Sequence, residues 1–223
     1  MDITIKSSLD VLSDFDVYAY TLNCNVLDEK ISNFDVICDE IKSQYDIKDL
    51  LLIDEIKDAR SAYKTLKADP NRVHLSCEGL LRRVLKGNSL YNVNNVVDYG
   101  NLISLKLKRS VCVCDYDKLA GNVVIEKCPL GVKYYGINRG EIRVDNLPIY
   151  KDDISYFGNP TSDIERTMIT SSTKRILVMI INFSKDFDKE YIIKKISEID
   201  EKCNINSFID LSSKIEINVK RER

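Results

Sequence analysis

Apolar residues recur along this chain at two different periods, and the change from one to the other divides it. "VYAYTLNC" (Val17 to Cys24) reads as a strand, and "DEKISNFDVICDEIKSQY" (Asp28 to Tyr45) has the spacing of a helix. A second helix is predicted from about Asp49 through "IDEIKDARSAYKTLKA". It must stop by "ADPN", because Pro70 disfavours helical geometry in Asp69. In "LSCEGLLRRVLKGN", Ser76 is the expected N-cap, Leu80, Leu81, Val84 and Leu85 form the apolar side, and Gly87-Asn88 is the stop signal. A further helix opens at Asn94.

Beyond that helix the period becomes two. "VCVCDY", "NVVIEK", "VKYYGI" and "EIRVDNLPIY" are separated by Gly, Pro, Asn and Asp, as strands are. The polar loop "YFGNPTSDIERTMITSS" leads into "KRILVMIINF", whose unbroken apolar run suits a central buried strand. The amphipathic "DKEYIIKKISEIDEKC" gathers Ile192, Ile196, Ile199 and Cys203 on one face, and the strand "KIEINV" and a charged tail follow. Helices first, strands later and one returning helix predict an α+β fold, a single compact domain over 1–223.

The 44% hydrophobic content of these 223 residues is ample for a packed core. Thirty-three basic against 35 acidic residues give a net charge of -2, so no global basic field exists and any RNA contact must be local. No apolar run reaches the roughly 18 residues a membrane span needs, and "MDITIKSSLD" lacks the features of a signal peptide. A cytoplasmic protein is expected. The seven cysteines suit reduced thiols in the core better than a disulfide framework.

His74, the lone histidine, excludes any site built on two imidazoles. A zinc set of Cys112, Cys114, Cys128 and His74 has no compact spacing, and phosphate-binding glycine motifs are missing. Neither metal nor cofactor is expected.

Four stretches carry candidate chemistry. Read as a helix, "NNVVDYGN" and its continuation put Val96, Gly100, Ile103 and Leu107 on one face and Asn94, Asp98 and Asn101 on the other. Asn94 and Asp98 also fit a cap and a dipole-complementing first turn, while the interior Gly100 marks close approach by another backbone or by a ligand. In "CVCDYD", Cys112 and Cys114 share a strand face, either as small core residues or as a thiol paired with His74. The loop "GNPTSDIERT" concentrates Thr161, Ser162, Asp163, Glu165 and Thr167, although Ser162 and Glu165 also have capping-box spacing. Arg82, Arg83 and Lys86 make either a solvated helix face or a local phosphate contact.

"LLRRVLKGNSLYNVNNVVDYGNLISLKL", "CDYDKLAGNVVIEK" and "TSDIERTMITSSTK" occur in this order within 61–183. This region resembles the editing module of the bacterial phenylalanyl-tRNA synthetase β subunit and the freestanding B3/B4-domain proteins built from that module alone. The resemblance implies mixed or antiparallel sheets with flanking helices, and hydrolysis of an amino acid wrongly attached to tRNA. A second hydrolytic sieve supplies accuracy that a binding pocket cannot.

The implied partners are the aminoacylated 3′ end of a tRNA and its amino-acid moiety, with neither DNA nor membrane. The resemblance puts the family's polar helix residue at Asn101 and its acidic discriminating residue at Asp163, or at Glu165 if the longer loop shifts the match; with Thr161 and Ser162 of the same polar loop, Asn101 and Asp163 form the expected catalytic set. Gly100, Cys112 and Glu165, together with Asp98 of the polar helix stripe and Arg82 of the basic run, are the expected substrate-binding residues. Gly100 stands where the synthetase module has threonine, and Cys112 where it has a pocket histidine. The expected activity is trans-editing hydrolysis of a mischarged aminoacyl ester, with a non-catalytic tRNA- or amino-acid-binding module as the alternative.

Overall fold

An apolar run without polar interruption needs cover on both faces, and Arg175–Asn182 receives it at the centre of a sheet. The computed structural model describes residues 4–185 and 187–221. Residues 1–3, 186 and 222–223, the ends of the expected 1–223 domain and of its charged tail among them, lie outside the described residues.

Eleven strands and five α-helices are described. They are β1 (Ile5–Ser7), β2 (Asp16–Cys24), α1 (Phe34–Gln44), α2 (Asp54–Thr65), α3 (Ser76–Leu85), α4 (Asn95–Leu107), β3 (Val111–Asp115) and β4 (Val123–Lys127). There follow β5 (Tyr134–Gly136), β6 (Gly140–Ile142), β7 (Pro148–Lys151), β8 (Tyr156–Gly158), β9 (Arg175–Asn182), α5 (Lys189–Lys202), β10 (Ile209–Glu216) and β11 (Val219–Arg221).

An antiparallel four-stranded sheet has the order β10-β2-β9-β3, with β9 between two partners. A mixed five-stranded sheet has the order β11-β1-β4-β7-β8, with β1 parallel to both neighbours, and β5-β6 is a separate hairpin. The chain is thus a single α+β unit of mixed and antiparallel sheets with flanking helices.

The pleat decides what each face of the four-stranded sheet meets. Val113 pairs with Val178, which pairs with Tyr20, and these side chains share a face. Gly100 of α4 stands against Val113, and Tyr99 of α4 and Tyr20 interact, so α4 lies on that side. Cys112, in register with Met179 and Ala19, points the other way.

The predicted helix at Asp28 begins only at Phe34, and the element from Asp49 is split into a 3-10 segment, Ile47–Leu52, and α2. Ser76 is the first residue of α3 rather than its cap; Leu75 takes that position, and the Ser76 N–H donates to the Pro160 carbonyl at 2.8 Å. The predicted strand "KIEINV" divides between β10 and β11, which belong to different sheets. β1 was not expected, because three residues carry too little periodicity to be read locally.

Candidate functional site

The loop after β8 is fixed before its functional groups are considered. The Asn159 side-chain oxygen accepts from the backbone N–H of Thr161 at 2.8 Å and of Ser162 at 3.1 Å, closing a local turn. The Pro160 carbonyl takes the Ser76 N–H and the Ser110 hydroxyl, each at 2.8 Å, tying the loop to the starts of α3 and β3. From the opposite side, the Tyr134 hydroxyl donates to the Ser162 carbonyl at 2.6 Å, and the Ile137 N–H donates to the Asp163 carbonyl at 3.0 Å. A Cβ at Gly158 would come within 2.6 Å of the Asp163 carboxylate, so only glycine leaves that carboxylate its position.

Asp163 faces the Cys112 thiol, and its Oδ1 is buried without a hydrogen-bond partner. Burial raises its pKa to about 7, and the neighbouring thiol offsets only part of that. The contact with Cys114, burial and the negative charge of Asp163 together push the Cys112 thiol well above its ordinary range. A protonated, buried thiol is a poor nucleophile, so the pairing of Cys112 with His74 is not realised. His74 sits instead with its Nδ1 3.0 Å from the Pro70 carbonyl.

Three residues the sequence did not mark complete the cluster. Tyr150, fully buried, places a hydroxyl without a partner near Cys112 and Asp163. Tyr63 hydrogen-bonds Thr161 Oγ1 at 3.2 Å, and Tyr134 lies close enough to Asp163 and Cys112 to feel their charge. The Asn159 Nδ2, also buried, has no acceptor. These tyrosines come from α2, β5 and β7, and nothing in their local sequence distinguishes them from core residues. A cleft of about 540 Å³ shares Tyr134 with the cluster, with Gly136, Tyr156, Ile164 and Arg166 also among its walls; Asp163, Cys112 and Tyr150 do not line it.

Of the remaining predicted residues, Glu165 lines that cleft and the others are placed elsewhere. Asn94 caps α4, accepting from the N–H groups of Val96 and Val97. Asp98 is buried, accepts from the Val93 N–H at 3.3 Å through Oδ1, and leaves Oδ2 unpartnered; burial brings its pKa to about 6.

The space over Gly100 is taken by the protein itself: a Cβ there would meet Val113 Cγ2 at 2.5 Å, so the glycine serves helix-on-strand packing rather than an occupant. Asn101 is half-buried on α4, and its side chain forms no hydrogen bond with the described residues. No hydrogen bond joins it to Cys112 or Asp163, and Cys112 points away from the sheet face that α4 covers.

Glu165 is exposed at the start of a 3-10 turn whose cap is Ile164, so the capping box does not form. Arg82 donates to the buried Glu78 at 2.9 Å, and Arg60 donates to the same carboxylate at 3.0 Å. Among the described residues no three His, Cys, Asp or Glu side chains converge to hold a metal, and all seven cysteines are free.

A family model described as the B3/4 domain matches residues 58–196. The chain is also similar to a solved N-terminal fragment of the phenylalanyl-tRNA synthetase beta-subunit from Pyrococcus horikoshii. The identity is 7% and the TM-score 0.49, over 100% of this chain and 53% of that one, so the chain spans about half the fragment's length. No curated protein matches it.

Proposed function

The chain belongs to the B3/4 domain family, and from that premise we propose that it hydrolyses a mischarged aminoacyl ester on tRNA, in trans and in the cytoplasm. The observation that carries this reading is the Asp163 carboxyl, buried with one oxygen unpartnered and a pKa near 7. A carboxylate poised near neutral pH is suited to take a proton from water.

In the proposed reaction, water attacks the ester carbonyl as Asp163 accepts its proton. The tetrahedral intermediate then collapses with cleavage of the bond to the ribose oxygen, which receives that proton. The unpartnered Tyr150 hydroxyl and Asn159 amide supply donors for the developing oxyanion, each removal costing roughly 10² in rate. Thr161 and Ser162 hold the loop, and the cleft beside Tyr134 admits the 3′ end.

The test follows ester loss from a panel of misacylated tRNAs with protein in excess. Acceleration should rise with pH through about 7 and fall roughly 10²-fold or more in Asp163→Asn. No acceleration on any member of the panel overturns the proposal.

A second reading, binding without hydrolysis, is favoured by Cys112 standing where the resembling module has histidine. Under it, Asp163→Asn weakens the binding of aminoacylated tRNA, and the wild-type protein leaves the ester intact.

A further inference from the structure

The β5–β6 hairpin belongs to neither large sheet. Its base is fixed where Cys128 donates a backbone hydrogen bond to Leu147 and accepts one from Asn146. Between Tyr134 and Ile142 only Tyr134 and Gly136 are buried, so little apolar surface anchors it. What holds it down is polar. The Tyr134 hydroxyl donates to the Ser162 carbonyl at 2.6 Å, the Ile137 N–H to the Asp163 carbonyl at 3.0 Å, and Arg139 Nη1 to the Thr161 carbonyl at 3.2 Å. These acceptors are consecutive, so the hairpin lies along the segment that carries Asp163. An element with few buried apolar side chains opens locally at far lower cost than a core strand.

The second observation is what the hairpin separates. It supplies one wall of the cleft of about 540 Å³, through Tyr134, Gly136 and Asn138 among others, while Asp163 and Tyr150 do not line that cleft. Behind it lie three buried polar atoms without partners, Asp163 Oδ1, the Tyr150 hydroxyl and Asn159 Nδ2. Buried polar atoms are ordinarily satisfied, so three orphans in one place mark a site that something else completes. Tyr134 stands both in the cleft wall and in the cluster.

We propose that the β5–β6 hairpin is a lid on the Asp163 cluster, latched by the Tyr134 hydroxyl, and that it lifts for an aminoacyl ester in the cleft to reach the carboxyl. The ester rests on the hydrolytic reading above, whereas the movement is measured without one. By closing again, the lid excludes bulk water from the reacting group.

Cys112, buried beside Asp163, reports the movement through its rate of maleimide labelling, read by peptide mass spectrometry. A Cβ at Gly136 would lie 3.4 Å from Ser162 Cβ, close to the span of a disulfide, so Gly136→Cys with Ser162→Cys can lock the lid. In the oxidised double variant Cys112 should label at least about tenfold more slowly than in the wild-type protein, with buried Cys77 of α3 unchanged. Where that variant does not fold, Tyr134→Phe decides: losing the latch should speed Cys112 labelling about fivefold and leave Cys77 alone. The lock should also stop ester turnover, and dithiothreitol should restore it. Labelling of Cys112 that ignores the lock, a rise in Tyr134→Phe shared equally by Cys77, or undiminished turnover in the locked form overturns the proposal. If no ester is cleaved but the Cys112 differences appear, the lid is supported and the hydrolytic reading fails by itself.

Discussion

Glu78 and Asp163 are both carboxylates with buried oxygens, and their surroundings give them opposite characters. Glu78, on α3, is fully buried and receives Arg60 and Arg82, one on each oxygen, with His74 3.6 Å away. Asp163 has no cation beside it, one oxygen without a partner and a thiol for a neighbour. A carboxylate answered by two guanidiniums is a structural joint, here locking α2 to α3. One denied them holds its proton near neutrality and is available for chemistry. Asp152 repeats the first pattern: against the cost of burial, the N–H groups of Ser155 and Ala120 and the Arg166 guanidinium keep its pKa low.

Four substitutions sharpen or break the contrast. Glu78→Gln leaves Arg60 and Arg82 without their carboxylate and should destabilise the fold by about 3–5 kcal/mol, read from the urea midpoint. A cost under about 1 kcal/mol would show that Glu78 is not the joint described.

Gly100→Ala is the uncharged control. The new methyl meets stiff, β-branched Val113, so the expected net loss is about 1–3 kcal/mol despite alanine's better helix propensity. The double variant with Val113→Ala should recover the part caused by the clash, and failure to recover it would mean that Gly100 has another role.

Asp163→Asn should act in the opposite direction. The folded-state pKa is raised, so the native protein holds a proton that the unfolded chain releases between about pH 4 and 7. Stability therefore declines as pH rises through that window. Removing the charge should restore on the order of 2 kcal/mol at pH 8 and nothing at pH 4, measured by urea unfolding at both values.

Asp98→Asn should show the same sign with a smaller size, about 1 kcal/mol, because its pKa is raised only to about 6 and one oxygen accepts a hydrogen bond. Equal responses from the two variants would remove the distinction between Asp163 and an ordinary buried carboxylate.

Much of the fold was legible because its elements announce themselves locally. The two-residue period of "VCVCDY", the apolar run of β9, the Asn94 cap and the Gly87 stop each express a preference contained within one segment. Gly87 takes φ 76°, a conformation its missing side chain permits. β1 and most of β11 were hidden because their stability comes from parallel pairing of Ile5–Ser7 with Val219–Arg221, distant in sequence. The candidate site divides in the same way. The density of polar groups around Asp163 was visible, whereas the contributions of Tyr63, Tyr134 and Tyr150 were not.

By itself, the sequence determined the α+β class, the central place of β9, the start of α4 and the loop worth attention, since hydrophobic period and cap chemistry act over a few residues. Only the tertiary structure decided that Val113 occupies the space over Gly100, that Arg82 serves Glu78, and that Asp163 meets a thiol rather than a cation. Those outcomes depend on which side chains the sheet pleat and the loop closures bring within a few ångströms. In a low-dielectric interior, such neighbours set whether a buried carboxyl is a joint or an acid.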